Sequence, residues 1–153
     1  MFEIIKRIFM CKKIRFFDQG GNKYVLKSGL DAYGVKQGNE VCAFERLSIN
    51  GSTLVVDHFA ITSYEKGTSE GQGEACLRSF ADLVSTQNPN INTIEFILCS
   101  TPTYVKDEPV TLQKIADARR SLLSKIGAAN ISMNRLNKTC IEVRGTWLKQ
   151  RWK

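Results

Sequence analysis

Two short stretches carry side chains whose types and spacing suit chemistry. LVVDHFAI, at 54–61, sets Asp57 beside His58 in an otherwise apolar, β-prone run. His58 is the single histidine of the chain, and an imidazole titrates near neutral pH, so it is a candidate general base. Successive strand residues point to opposite faces, so only one of Asp57 and His58 can border a cleft. Each also fits a plainer role, hydrogen-bonded to a neighbouring strand or loop. The second stretch is GTSEGQGEACLRSFADLV, at 67–84, where glycines and small polar residues give way to an apolar pattern with helical spacing. Main-chain N–H groups at a helix start, unobstructed by side chains and assisted by the helix dipole, can cradle a phosphate. The plainer reading is a glycine-rich connection capped by Ser69 or Glu70.

Other chemistries are poorly supplied. The cysteines are Cys11, Cys42, Cys76, Cys99 and Cys140, widely spaced, with no CxxC and no Cys/His cluster. Neither a disulfide framework nor a metal site is indicated, and reduced, mostly buried thiols in a cytoplasmic protein are expected. Cys99-Ser100-Thr101-Pro102 follows an apolar run; a thiol nucleophile there would need activation by His58, and no triad is legible. Ser100 and Thr101 are polar residues suited to lining a cleft. Lys and Arg total 22 against 15 acids, a formal charge of +7. That balance favours anionic partners, although the basic residues are spread along the chain. Arg119-Arg120, Arg135, Lys138 and the tail TWLKQRWK at 146–153 mix cations with aromatics, a combination that can grip phosphates and stack bases. A solvated helix face and a frayed terminus, with Trp147 packed on the domain, is the commoner outcome.

The elements that must position these residues read as one domain over 1–153, long enough to bury a core. Residues 1–13, MFEIIKRIFMCKK, are interrupted by Lys6 and Arg7 and match neither a secretory signal nor a membrane span. Residues 1–12 are expected as a helix or strand extension, with a basic amphipathic helix on a membrane surface as the alternative. KIRFF at 13–17 reads as a strand, DQGGN at 18–22 as a turn and YVLK at 24–27 as a returning strand. Residues 28–39 read as irregular or a short helix. A hairpin follows, 40–49 and 53–62, turning on Asn50-Gly51 in a type I′ turn. Cys76, Leu77, Phe80, Ala81 and Val84 define a helix that Asn88-Pro89-Asn90 stops. Residues 91–99 form a buried strand and 101–108 a polar loop. Pro109 opens a second helix with a buried stripe at Ile115, Ala118, Leu122 and Ile126, ending at Gly127. Strands at 129–133 and 138–144 complete a mixed α/β (α+β) domain with a strand–helix–strand crossover.

The glycine stretch discriminates among phosphate loops. It lacks the Gly-Lys-Ser/Thr of a P-loop, and Gly71-Gln72-Gly73 is followed by Cys76 rather than the third glycine of a dinucleotide fingerprint. GQGEACL at 71–77, or EGQGEA at 70–75, resembles the pyrophosphate loop of the GNAT superfamily of acyl-CoA N-acyltransferases. LVVDHFAI is similar to that family's central strand, INTIEFIL to the strand after the loop helix, and LLSKIGA at 122–128 to the end of its later helix. The likeness spans about 13–145. It implies a mostly antiparallel central sheet with flanking helices and acetyl-CoA, or another acyl-CoA, as donor. It also implies pyrophosphate on the backbone of Ser69, Glu70, Gly71, Gln72, Gly73, Glu74 and Ala75, and pantetheine beside Phe59, Ile61 and Thr62. Asp57 and His58 are then the candidate catalytic residues, and the acceptor is an amine, carried for example on aminoacyl-tRNA or on a protein.

The chain departs from that pattern in ways that support a second function. Thr68 or Glu70 stands where Arg or Gln is usual, Glu65, Glu70 and Glu74 surround the loop with only Lys66 to oppose them, and Leu123 replaces the tyrosine that commonly protonates the leaving thiolate. The alternative is therefore an inactive module of the same fold that recognises nucleic acid or a protein through its basic surface. A membrane-surface adaptor using residues 1–13 is a third, weaker reading.

Overall fold

The apolar runs either side of Asn50-Gly51 form the longest hairpin of the structure. β3 (Asn39–Asn50) and β4 (Thr53–Ile61) pair antiparallel, with Asn50 opposite Thr53. The two-residue turn is thus Gly51-Ser52, one residue later than expected. Gly51 has φ 62° while Ser52 is not in the left-handed region, so the turn has the glycine-first character of type II′ rather than type I′. The computed structural model describes residues 13–61, 72–100, 103–105 and 108–153; the expected element at 1–12 lies outside them.

Around this hairpin a seven-stranded sheet runs in the order β1-β2-β3-β4-β5-β9-β8. β1 is Arg15–Phe17, β2 Ala32–Lys36, β5 Thr93–Ser100, β8 Ala129–Asn137 and β9 Cys140–Leu148. Every neighbouring pair is antiparallel except β4 and β5, which are parallel and joined through helix α1 (Gln72–Gln87). Helix α2 (Leu112–Lys125) links a small hairpin, β6 (Thr103–Val105) with β7 (Glu108–Val110), to β8.

Several local expectations change. Residues 24–27 form no strand; the return is made by β2, inside the segment expected to be irregular. Gly34 allows it, since a Cβ there would run into the Sγ of Cys42 on β3. Gln37 and Gly38 both have positive φ and turn β2 into β3. Pro109 lies in β7, and Thr111 caps α2 instead, its Oγ1 accepting from the Lys114 N–H at 3.2 Å. Gly127, at φ 84°, ends that helix as expected.

The apolar stripe of α1 is as spaced: Cys76, Leu77, Phe80, Ala81 and Val84 are buried. Phe80 stacks on Phe44 of β3 at 4.0 Å and meets Phe16 of β1 edge-on at 5.6 Å. α2 packs beside α1 on the same face of the sheet, against β8, β9 and β5. Of its expected stripe, Ile126 is buried and Ile115 and Leu122 are half-buried, but Ala118 is exposed; Ala116 and Leu123 are buried beside them, with the half-buried Arg119 between.

Trp147 packs on the domain as expected, and Trp152 joins it, so the segment 146–153 is anchored rather than frayed, with Leu148, Gln150, Arg151 and Lys153 exposed. Trp147 is fully buried on β9 and donates its indole N–H to the Ile126 carbonyl at 3.0 Å. Trp152 follows a short turn and donates to the Trp147 carbonyl at 3.1 Å. Two cysteines also differ from expectation: Cys99 and Cys140 form a disulfide across β5 and β9, with Cα atoms 5.5 Å apart, while Cys42 and Cys76 are free and buried. Replacing Trp152 with Ala should cost about 3–5 kcal/mol by denaturant unfolding, the range for removing a buried aromatic; a loss below about 1 kcal/mol would return the terminus to the surface.

Candidate functional site

The parallel ladder between β4 and β5 is short. Thr53 to Val56 face Thr93 to Phe96, and there the pairing ends although both strands continue, to Ile61 and Ser100. Beyond Val56, β4 stays paired with β3 and β5 with β9. The two strands therefore part, leaving a gap in the middle of the sheet.

The cause lies in the pleat. Leu47 on β3 opposes Val56, and Phe44 opposes Phe59; all four are buried. Steps of three from Leu47 back to Phe44, and from Val56 on to Phe59, break the alternation that two-residue periodicity requires. Arg46 supplies the phase slip with a left-handed φ of 54°, and its N–H turns out of the ladder to the Asp31 carboxylate at 3.1 Å. Opposite this slip lie Asp57 and His58, where β4 leaves β5.

Helix α2 reaches across the gap. Arg119 donates from Nη1 to the Cys99 carbonyl at 3.0 Å and from Nη2 to the Phe59 carbonyl at 3.2 Å. The sequence places Arg119 on a solvated helix face; in the structure it turns inward, between Ala116 and Leu123, to these two carbonyls.

The start of α1 closes the other side of the site. Gly73 is buried, and a Cβ there would sit 3.1 Å from Ile61 Cδ1 at the end of β4 and 3.0 Å from Leu122 Cδ2 of α2. This glycine therefore serves close packing among the three elements. Glu74 is not an uncompensated charge beside the helix mouth: Arg78 Nε donates to it at 3.1 Å and Lys125 Nζ lies at 3.6 Å. The Arg78 hydrogen bond, with both cations, holds its carboxyl below the usual range. Gln72 and Ala75 occupy the same first turn, Ala75 exposed. Thr62, Ser69, Glu70 and Gly71, together with Glu65, Lys66 and Thr101, lie outside the described residues.

The adjacent pair resolves into unlike neighbours. Asp57 is exposed. His58 is half-buried opposite Glu45, with Nε2 3.9 Å from the Glu45 carboxylate. Burial pushes its pKa below 6.5, with help from the charges of Arg119 and Arg46; Glu45 and Asp31 pull the other way. His58 is thus neutral at pH 7, as a base must be. Sequence reasoning missed Glu45 and Asp31 and read Arg119 only as a phosphate-gripping or solvated cation, because each acts through a position set by the phase slip or by the packing of α2. Among the described residues no cysteine is an evident nucleophile: Cys99 and Cys140 are in the disulfide, Cys42 and Cys76 are buried, and the Cys42 thiol is pushed up by its hydrogen bond with Cys76 and by burial. No group of metal-holding side chains occurs among the described residues.

No protein-family model matches the chain, and no curated protein matches its sequence. Solved structures do match. The N-terminal domain of a ribosomal-protein-alanine acetyltransferase from Clostridium acetobutylicum gives a TM-score of 0.53 at 14% identity, over 92% of this chain and 95% of that one. A spermidine N-acetyltransferase SpeG chimera from Vibrio cholerae and hSSAT gives 0.57 at 9% identity, over 92% and 98%. AAC(6')-Ib, in complex with Parmomycin and AcetylCoA, gives 0.52 at 12% identity, over 82% and 67%. The chain has the GNAT fold.

Leu123, read from the sequence as standing where such proteins commonly carry a tyrosine, is on α2. It is buried, with its Cδ1 3.0 Å from where a Gly145 Cβ would be, so it packs the helix onto β9 and faces no cleft. No helix among the described residues is long and apolar enough to cross a membrane. Because folding lowers the His58 pKa, its contribution to stability is complete above about 6.5, the ordinary value, and is lost as pH falls through the depressed folded value. A single imidazole titration, followed by NMR, should lie below that of a model histidine and move lower still in Glu45→Gln. Movement upward would contradict the charge arrangement described.

Proposed function

We propose that the chain is an acyl-CoA-dependent N-acetyltransferase whose donor lies in the gap between β4 and β5. The observation that carries this reading is the parallel ladder that stops at Val56 and Phe96, with the start of α1 beside the free end of β4. Main-chain groups of 57–61 and 97–100 that do not pair with each other suit an extended amide-bearing chain, and the first turn of α1 suits its diphosphate. AAC(6')-Ib, of the same fold, was solved with AcetylCoA.

The thioester supplies an activated acyl group. His58, neutral and half-buried at the edge of the gap, takes the proton from the acceptor ammonium, and Glu45 steadies the imidazolium so formed. Asp57, exposed on the same strand, stays outside the proton path and adds negative charge to the approach. The carboxylates of Asp31, Glu45 and Asp57 favour a cationic amine; the +7 charge of the chain suits an amine borne on a polyanion or a protein. A second reading, an inactive module of the same fold that binds nucleic acid or protein through its basic surface, draws support from the buried Leu123, which offers no acid to a leaving thiolate.

Acetyl-CoA at ~100 times its dissociation constant should raise stability by about 2.7 kcal/mol in a thermal melt. His58→Gln should keep that shift and lower turnover by about 100-fold or more. Turnover in the parent should fall as pH drops below the His58 pKa. Gly73→Asp is a poor probe of phosphate binding, because Ile61 and Leu122 leave no room for the side chain. An unchanged melting curve at millimolar acetyl-CoA would favour the inactive module.

A further inference from the structure

The register of the short parallel ladder places Thr53 against Thr93 and Val56 against Phe96. Continued at the same offset, it would bring Phe59 level with Cys99. These are the residues whose carbonyls Arg119 holds, at 3.2 and 3.0 Å. One guanidinium thus spans the place where the next rungs of the ladder are missing.

We propose that Arg119 is the positioning residue of the cleft, a strap that replaces the absent β4–β5 pairing and fixes the separation of the two strands that bound the gap. The sequence of α2 puts it there. Ala116, Arg119 and Leu123 follow helical spacing on the buried stripe, so the arginine stem packs inward between apolar neighbours. Its planar fork presents donors in two directions at once, which suits two carbonyls on separate strands. Lysine, whose donors diverge from one nitrogen, cannot span them at the same spacing. The phase slip at Arg46 parts the strands, and Arg119 keeps them from collapsing into a longer ladder or drifting wider.

The strap also brings a fixed positive charge towards His58. Among the described residues, the charged groups that act on that imidazole are Glu45 and Arg46 from β3, Asp31 from the segment before β2 and Arg119 from α2. Removing the Arg119 charge, with the others kept, should therefore raise the His58 pKa. The catalytic consequence rests on the transferase reading above; the structural consequence does not.

The test uses the full chain and three readouts. In Arg119→Lys, backbone amide exchange over 57–61 and 97–100 should quicken about tenfold or more, as the part-buried carbonyls that lose a partner loosen the strands, while 47–56 and 93–96 keep parental rates. The titration of His58, the single histidine, should stay near that of the parent because the charge is kept. In Arg119→Gln, exchange should quicken in the same segments and the His58 pKa should rise. With acetyl-CoA, Arg119→Lys should raise the donor KM about tenfold or more with a smaller change in kcat. Where Arg119→Gln fails to fold, Arg119→Lys carries the exchange reading. Parental exchange in Arg119→Lys, or loosening spread evenly over the sheet, would overturn the proposal. A parent chain that ignores acetyl-CoA while both variants loosen the two segments would support the strap and count against the transferase reading alone.

Discussion

The β4–β5 ladder ends after Val56 and Phe96, and much of the site follows from that termination. A sheet interrupted between two central strands leaves main-chain donors and acceptors that need partners other than each other. Here the carbonyls of Phe59 and Cys99 find Arg119. The parallel pairing also dictates a crossover, since parallel neighbours cannot be joined by a tight turn. Helix α1 makes that crossover, and its first turn packs against Ile61 at the end of β4. The gap and the helix start are consequences of one connection.

Charge around the gap is balanced locally although the chain as a whole is basic. His58 lies between carboxylates, Glu45 and Asp31, and guanidinium groups, Arg46 and Arg119, with burial deciding in favour of the neutral ring. At the helix mouth, Glu74 is held by Arg78 and Lys125. Arg78 is further tied to the Arg151 carbonyl at 3.1 Å, which links the start of α1 to the C-terminal turn. Apart from Glu74 and Arg78, one helical turn apart, these interactions connect residues far apart in the chain, and a sum of formal charges reports none of them.

Close helix packing depends on small residues and on the terminus. Gly73 lets α1 approach β4 and α2, and Gly145 lets Leu123 of α2 sit down on β9. Trp147 then joins β9 to the end of α2 through Ile126, and Trp152 covers Trp147. The two indoles at the end of the chain thereby belong to the core and are not available for stacking on bases, while Arg151 and Lys153 stay exposed.

Local order was legible in the residues. The apolar stripe of α1, the strand runs about Asn50-Gly51, the buried strand at 91–99, the stop at Gly127 and the mixed α/β order with its crossover follow from periodicity and turn chemistry, which act over a few residues. The likeness of GQGEACL and LVVDHFAI to GNAT segments pointed to the fold that solved structures share with this chain. Tertiary contacts decided the rest. The left-handed turn of Arg46 depends on Asp31, fifteen positions away. The inward rotation of Arg119 depends on carbonyls twenty and sixty positions distant, and the Cys99–Cys140 bond joins two strands. Pattern reading sees neighbours along the chain, whereas a strand gap, a strap across it and the pKa of the one histidine are set by groups that meet only when the sheet closes around them.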